Sequence, residues 1–212
     1  MNIESPKRAY RQSARATAAE ATATRIVDAF FHQFRERWFD EIRLEDVARE
    51  AGVTVQTVIR RFGSKEGLLD PMREQLGSEV RARREVPPGD AAGAVASLIE
   101  DYEMIGDLVM RMLAQEERYP ALKAMTDRGR DEHREWISTA FEPWLAAMSA
   151  DDRRRAADAL VVAGDIYQWK LIRRDMKRSL AEYRALLETL LATAIGVPRA
   201  KLFKPRSTRN RK

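Results

Sequence analysis

The sequence predicts an all-α fold in which a small N-terminal unit of three helices is joined through a fourth helix to a larger helical unit. Apolar residues recur at helical spacing in almost every window of the chain. No stretch alternates apolar and polar residues for long enough to indicate a strand. The 212 residues, 44% of them hydrophobic, also suffice for one small and one larger core.

The first clear helix is expected over residues 18–37. Ile26, Phe30 and Phe34 follow one another at intervals of four, and Val27 and Phe31 widen the same apolar stripe. The residues before it, 1–17, are polar and are expected to form a flexible basic arm. The stripe predicts one face packed on a core and one face in solvent.

A helix-turn-helix is predicted over residues 43–62, within a unit that spans residues 18–64. Helices over 44–51 and 54–62 flank Gly52-Val53, and glycine suits the positive φ of such a turn. A buried helix pair in any α-protein can show the same spacing, and this alternative stays open. The residues expected to face inward are Val47, Ala48, Ala51, Val53 and Val58.

The fourth helix is expected to begin at Ser64, a good N-terminal cap, and to end before the breakers of residues 86–89. Pro71 falls inside it, where it lacks the N–H that would bond to the carbonyl of Gly67. A bend or break over residues 67–70 follows, serving either a functional motion or a static fit to the core.

The larger unit is expected over residues 65–197, as helices at 90–105, 107–117, 120–147, 150–176 and 180–195. Ser179 and Glu182 form a capping box for the last helix, and Gly196 and Pro198 end it. Residues 198–212 are expected to be a disordered basic tail. The seven basic side chains from Arg199 onward account for the positive net charge, which falls from +5 to −2 without them.

The third predicted helix presents groups that suit the major groove of duplex DNA. Gln56 is able to pair with adenine, Val55 to contact a thymine methyl, and Arg60 to reach guanine or phosphate. A solvated polar face is the alternative. The full set of expected DNA contacts is Thr54, Val55, Gln56, Thr57, Arg60, Arg61 and Lys65, the last two directed at phosphates.

No catalytic residue, cofactor or metal site is predicted. The chain has no cysteine, and its two histidines, His32 and His133, do not lie at metal-ligand spacing. No phosphate-binding loop or nucleophile motif is present. Without a signal-peptide pattern or an apolar run of membrane-spanning length, the protein is expected to be soluble and cytoplasmic.

Three segments together resemble the N-terminal domain of the TetR family of transcriptional regulators. They are Thr24-Arg25-Ile26-Val27-Asp28-Ala29, Leu44-Glu45-Asp46-Val47-Ala48-Arg49-Glu50-Ala51-Gly52-Val53-Thr54 and Phe62-Gly63-Ser64-Lys65-Glu66-Gly67-Leu68-Leu69. The chain departs from the family pattern at three positions. Ile59 replaces a frequent tyrosine, Arg43 a frequent capping serine or threonine, and Trp38 a frequent glycine.

The resemblance implies a homodimer that binds a palindromic operator and is released from it by a small-molecule effector. The motif positions of Thr54, Val55, Gln56, Thr57, Arg60 and Lys65 carry the expected DNA contacts. The family uses its last two helices for dimerisation, and the alternative for this apolar seam is packing within the chain. The expected interface residues are Trp169, Tyr183, Leu187, Leu190 and Leu191.

Aromatic and methionine residues of the larger unit are expected to line a pocket for a lipophilic or aromatic effector, with plain core packing as the alternative. They are Tyr102, Met110, Trp136, Phe141, Trp144 and Tyr167. Two other functions remain open at this point. One is an effector-independent architectural DNA-binding protein, and the other is an α-helical ligand-binding protein or enzyme with a helix-turn-helix-like corner.

Overall fold

The computed structural model describes the backbone of residues 6–203 and the side chains of residues 15–203. Over this range the chain forms helices and no strand, which confirms the all-α prediction. Besides α-helices, this range contains two 3₁₀ turns, Phe39–Glu41 and Glu66–Leu68, and one π-helix, Lys170–Asp175. The α-helices are α1 (Pro6–Glu36), α2 (Leu44–Glu50), α3 (Val55–Phe62), α4 (Leu69–Arg83), α5 (Ala91–Gln115), α6 (Pro120–Ala140), α7 (Glu142–Leu145), α8 (Ala150–Ala163), α9 (Ile166–Trp169), α10 (Leu180–Ala194) and α11 (Arg199–Leu202).

The chain divides into two compact units. The first contains the residues through Gly77 together with Gln115–Met125, and the second contains Ser78–Ala114 together with the residues from Thr126 onward. The first unit therefore extends beyond residue 64, where the sequence predicts its end. The reason is the apolar face of α4, because Leu69, Met72 and Leu76 are buried.

Helix α1 begins at Pro6, whereas the sequence predicts a flexible arm through residue 17. Proline is favoured in the first turn of a helix, and the segment that follows is rich in alanine and arginine, which are good helix formers. The arm prediction is thus corrected for residues 6–17, and residues 1–5 lie outside the described range.

The core of the first unit is built on the apolar stripe of α1. Ile26, Phe30 and Phe34 are buried, as the spacing predicts. The rings of Phe30 and Phe34 stack with centroids 5.7 Å apart, and Phe34 meets Phe39 edge to face at 6.0 Å. Such pairs add directional preference to the burial of apolar surface.

In the second unit, α5 is one continuous helix rather than the two that the sequence predicts. Gly106 lies in its middle, and a Cβ atom there would stand 2.4 Å from the ring of Trp169. This glycine therefore makes room for a buried tryptophan and does not end the helix.

The single helix predicted over residues 150–176 is interrupted. Helix α8 ends at Ala163, and Asp165 starts α9 by accepting a hydrogen bond from the N–H of Tyr167 at 2.8 Å. The chain then widens into the π-helix, in which Met176 N–H donates to the carbonyl of Leu171 at 2.8 Å.

The end of the chain combines a confirmed prediction with a correction. The capping box of α10 is present, with Ser179 Oγ accepting from Glu182 N–H at 3.2 Å and Ser179 N–H donating to the Glu182 carboxylate at 2.8 Å. Residues 199–202 form α11 rather than the start of a disordered tail, because Leu202 and Phe203 pack against the core and Arg199 pairs with Glu188 at 2.6 Å. The rest of the predicted tail, residues 204–212, lies outside the described residues.

The interruption expected near Pro71 takes the form of a change in helix type. The 3₁₀ turn ends at Leu68 and α4 begins at Leu69, so Pro71 lies in the first turn of α4. N–H groups in a first turn have no partner within the helix, and proline costs little there. The free-energy penalty expected for proline in a helix interior therefore does not apply.

Within residues 6–203, no helix combines the length and apolar character that a membrane span requires.

Candidate nucleic-acid interface

A tight turn joins α2 to α3 and defines the candidate interface. Val53 N–H donates to the carbonyl of Ala48 at 2.9 Å, and Gly52 N–H donates to that of Arg49 at 3.2 Å. This pair of bonds is the Schellman arrangement, which needs a residue with positive φ at the position after the helix end. Gly52 supplies it with a φ of 67°. The local sequence thus encodes the predicted turn.

The inward side of the helix pair follows the sequence prediction. Val47, Ala48, Ala51 and Val58 are buried, and Val53 is half-buried. A long-range bond holds the pair on α1, where Arg25 Nε donates to the carbonyl of Ala51 at 3.3 Å. The buried side chains and the hydrogen bond to α1 therefore hold α3 in place within the first unit.

The first turn of α3 uses two of the predicted contact residues for its own capping. Thr54 Oγ1 accepts from Thr57 N–H at 3.2 Å, and the two hydroxyls lie 2.9 Å apart. Thr54 is exposed and Thr57 half-buried. Their hydroxyls start the helix, and any contact with a further partner comes in addition to that bond.

The exposed face of α3 carries Gln56, Ile59 and Arg60, with Val55 half-buried at its edge. Among the described residues, neither Gln56 nor Arg60 has a hydrogen-bond or ion-pair partner. Positions 56 and 60 lie one turn apart on the same side of the helix. Both side chains are therefore free to meet groups outside the chain.

Ile59 also belongs to this face, although it is not among the predicted contact residues. Its side chain is 40% exposed, next to Gln56 and Arg60 in helical projection. The signal for it was present in the sequence, because in helical projection residue 59 lies about 60° from Gln56 and about 100° from the buried Val58. An exposed aliphatic side chain here suits an apolar feature of the groove.

Arg61 lies toward α1 rather than on the face of Gln56 and Arg60. Its guanidinium is 3.9 Å from the carboxylate of Glu20. The long distance makes this a weak ion pair. The predicted phosphate contact of Arg61 would therefore come from the flank of the helix.

Lys65 has partners different from the predicted phosphate. Its ammonium donates to the main-chain carbonyls of Phe39 at 2.6 Å and Ile42 at 3.1 Å, and it lies 4.4 Å from the centre of the Phe39 ring. Burial lowers the pKa of Lys65, which the nearby carboxylates of Glu66 and Asp40 partly oppose. The side chain holds the first unit together, and the sequence offered no sign of these distant carbonyls.

The charge around α3 is positive. No acidic residue lies between Glu50 and Glu66, whereas Arg60 and Arg61 fall in that interval. Arg43, at the start of α2, is also exposed. The exposed face of α3 thus carries the amide of Gln56, the aliphatic side chain of Ile59 and the guanidinium of Arg60. No carboxylate lies nearby in the sequence.

Residues 26–72 match the family model described as bacterial regulatory proteins of the tetR family. The match covers the apolar stripe of α1, the helix-turn-helix and the start of α4. The helix-turn-helix segment of this chain therefore matches the TetR family over residues 26–72. The resemblance seen in the sequence is thereby confirmed.

A curated protein similar to this chain is an uncharacterized helix-turn-helix-type transcriptional regulator of Haemophilus influenzae. The two are 34% identical over 112 residues, which is 48% of this chain and 53% of the relative. The chain thus spans about half the length of the relative it matches.

Solved structures share the fold over most of the chain. A transcriptional regulator of a Rhodococcus species matches with a TM-score of 0.63 at 16% identity, over 82% of this chain and 96% of its own. A TetR-family regulator of Streptomyces coelicolor matches with a TM-score of 0.59 at 16% identity, over 86% of each chain. A Mesorhizobium loti protein of the same family gives 0.58 at 18% identity, over 82% and 97%.

The residues expected to line an effector pocket are only partly brought together. The guanidinium of Arg84 lies over the rings of both Tyr102 and Trp136, 5.4 and 5.1 Å from their centres. Phe141 is buried and lies beside the half-buried Trp144, with ring centroids 5.7 Å apart. Met110 is half-buried and packs against the same core. Tyr167 is 53% exposed and therefore does not belong to the wall of an enclosed pocket.

Four of the five residues predicted for a dimer interface lie in the core of the chain itself. These are Trp169, Tyr183, Leu187 and Leu191, and all four are fully buried, whereas Leu190 is half-buried. A residue with no exposed surface in one chain has none to offer a second chain. Their placement in the interface is corrected, and the intrachain alternative describes them.

Proposed function

We propose that this protein is a TetR-family transcriptional regulator that binds a specific sequence in duplex DNA through α3. The observation that carries the proposal is the exposed pair Gln56 and Arg60, which have no partner among the described residues. A glutamine amide pairs bidentately with adenine, and an arginine with guanine. Ile59 and Val55 supply apolar contacts for thymine methyl groups.

Phosphate contacts would fix the position of this helix in the groove. Arg43 lies exposed at the start of α2, and Arg61 lies on the flank of α3 near Glu20. Guanidinium groups bind phosphate oxygens, which sets register and orientation without reading sequence. The N–H groups at the helix starts add partial positive charge toward the same phosphates.

Two copies would bind together at a palindromic operator. Helices α8 and α10 pack on each other, and each keeps an apolar side chain exposed, Val162 at 60% and Leu186 at 39%. A second copy related by a two-fold axis would cover both residues at once. The two α3 helices would then meet two half-sites of opposite orientation.

A small effector would lower the affinity for DNA and so relieve repression. The second unit supplies the aromatic surroundings for it, since the rings of Tyr102 and Trp136 both lie close to the guanidinium of Arg84. A ligand shifts a conformational equilibrium only by its difference in affinity for the two states. The effector must therefore prefer the state that binds DNA less well.

Selection from a random duplex pool tests the proposal. The protein should enrich one inverted repeat, with half-sites whose centres lie about one or more helical turns apart. Enrichment of a single unrepeated site would contradict the dimer. A bound pool with no preferred sequence would contradict specific reading by α3.

A further inference from the structure

A carboxylate with no exposed surface, that of Asp101, holds two consecutive arginines in the second unit. Arg83 Nε donates to Asp101 Oδ1 at 2.9 Å, and Arg84 donates to Oδ2 from Nε at 2.8 Å. The second nitrogen of Arg84 lies 2.7 Å from the same oxygen. Such charge-assisted bonds fix the orientation of both guanidinium groups.

The geometry of Arg84 determines which nitrogen of His133 carries the proton. The remaining Nη1 of Arg84 lies 3.2 Å from His133 Nδ1. Arginine only donates, so Nδ1 must accept. Burial lowers the pKa of His133 to about 3, and Arg84 and Arg134 add to this effect, so the ring is neutral. A neutral ring whose Nδ1 accepts carries its hydrogen on Nε2.

The Nε2–H group of His133 is a buried donor that lacks an acceptor. His133 is 8% exposed, and Nε2 has no hydrogen-bond partner among the described residues. Buried polar groups in native proteins nearly always have a partner, so an exception requires an explanation. An acceptor that is not part of the described residues would complete the hydrogen bonding of His133.

The surroundings of His133 favour a flat, uncharged partner. Its ring lies 6.2 Å from that of Trp136 at an interplanar angle of 25°, and the planar Arg84 guanidinium lies over Trp136. Charges nearby are already matched, because Arg83 and Arg84 share Asp101 and Arg83 also lies 3.8 Å from Glu79. A further carboxylate is not needed for charge balance.

We propose that the second unit binds a planar, uncharged carbonyl compound whose oxygen accepts the Nε2–H of His133. The inference rests on the proposed function, because it names the chemical class of the effector. Trp136 contributes a stacking surface, and Trp136 Nε1 is already bonded to the carbonyl of Arg84 at 2.8 Å. Arg84 directly follows the last residue of α4, so an occupant at His133 lies next to the residue that ends this helix.

Nuclear magnetic resonance of the full chain labelled with ¹⁵N-histidine tests the proposal, because the chain has only two histidines. The probes are acetophenone and its matched hydrocarbon ethylbenzene. We expect the free protein to show the proton of His133 on Nε2. Acetophenone should shift that signal downfield and bind roughly tenfold more tightly than ethylbenzene, as one hydrogen bond to the carbonyl implies. The exposed His32 should not respond.

Three outcomes would overturn the proposal: a proton on Nδ1, a magnetisation transfer showing only water at Nε2 in the presence of acetophenone, or equal binding of the two probes. The variant His133→Phe should lose the preference for acetophenone, and wild-type spectra decide the matter if that variant does not fold. Binding of the selected duplex is measured separately without either compound. Intact duplex binding with a failed probe experiment rejects this inference alone, whereas absent duplex binding rejects the proposed function.

Discussion

The ammonium group of Lys65 lies 2.6 Å from the carbonyl oxygen of Phe39. Lys65 directly precedes the 3₁₀ turn Glu66–Leu68, and its ammonium group also bonds to the carbonyl of Ile42, which follows the 3₁₀ turn Phe39–Glu41. The ring of Phe39 is buried, and Tyr119 meets it edge to face at 4.9 Å. With the amide of Gln115 turned so that both bonds form, its oxygen accepts from Phe39 N–H and its nitrogen donates to Asp40, both at 3.2 Å. Phe39 is therefore the point in the first unit where the residue before the second 3₁₀ turn and the α5–α6 connection meet.

We predict that Lys65→Met destabilises the protein rather than changing its electrostatic attraction to DNA. The variant leaves two main-chain carbonyls without their charged donor, which costs about 1 to 3 kcal/mol. Chemical denaturation measures this loss. Arg43→Met is the control, because Arg43 is exposed and should change stability little. If Lys65→Met were as stable as the wild type and its DNA binding depended less on salt, the prediction would be wrong and Lys65 would be a phosphate contact.

The adjacent residues Leu186 and Leu187 differ in exposure, because Leu186 lies on the surface that we propose for the dimer and Leu187 lies in the core. Leu186 is exposed and Leu187 is buried among the core residues of the second unit. We predict that Leu186→Glu gives a folded monomer, whereas Leu187→Glu fails to fold because it buries an unpaired charge. Analytical ultracentrifugation and circular dichroism distinguish these results. A folded dimer of Leu186→Glu would show that this surface does not hold the two copies together.

His133 should make stability depend on pH. Its folded pKa of about 3 lies below the ordinary value of 6.5, so the unfolded chain takes up a proton that the folded chain does not. The stability that the folded protein gains from keeping His133 neutral is therefore fully present above pH 6.5, and it is lost as the pH falls toward 3. Between pH 7 and pH 5 the loss amounts to about 2 kcal/mol.

Denaturation series at several pH values check this for three proteins: wild type, His133→Phe and His32→Gln. His133→Phe should flatten the dependence in this window, while His32→Gln, altered at an exposed site, should keep it. The same slope in wild type and His133→Phe would mean that other groups cause it.

Pro71→Ala should be nearly neutral. Because Pro71 lies in the first turn of α4, its missing N–H breaks no bond within the helix. We expect a change of less than about 1 kcal/mol in the free energy of unfolding, mostly through the unfolded chain. A stabilisation near the 3 kcal/mol typical of a helix interior would show that Pro71 strains the helix.

Local signals explain why much of the fold was predictable. The stripe of Ile26, Phe30 and Phe34, the Gly52 turn and the Ser179–Glu182 capping box each depend on residues close together in the chain. The same holds for the exposed position of Gln56 and Arg60, which follows from where α3 begins.

The remainder depends on contacts between distant residues. Apolar spacing in α10 shows that Leu187 and Leu191 are buried, but it does not reveal whether the covering surface belongs to the same chain. The charge of Lys65 suggests a phosphate until the fold brings the Phe39 carbonyl beside it. His133 stands in a charged run of sequence, and its partner Arg84 lies 49 positions away. Neither the spacing of residue types nor the composition of the chain predicts such contacts between distant residues.

The base preference of the Gln56→Ala and Arg60→Ala variants tests the central claim that α3 reads DNA. Affinities for the selected duplex and for all its single-base variants are measured for both, with the surface variant Arg154→Ala of α8 as the control. At least one of the two α3 variants should lose discrimination at one position of each half-site, by about 1 to 3 kcal/mol, while the control keeps the wild-type profile. Wild-type preferences at every position in both Gln56→Ala and Arg60→Ala would contradict the account.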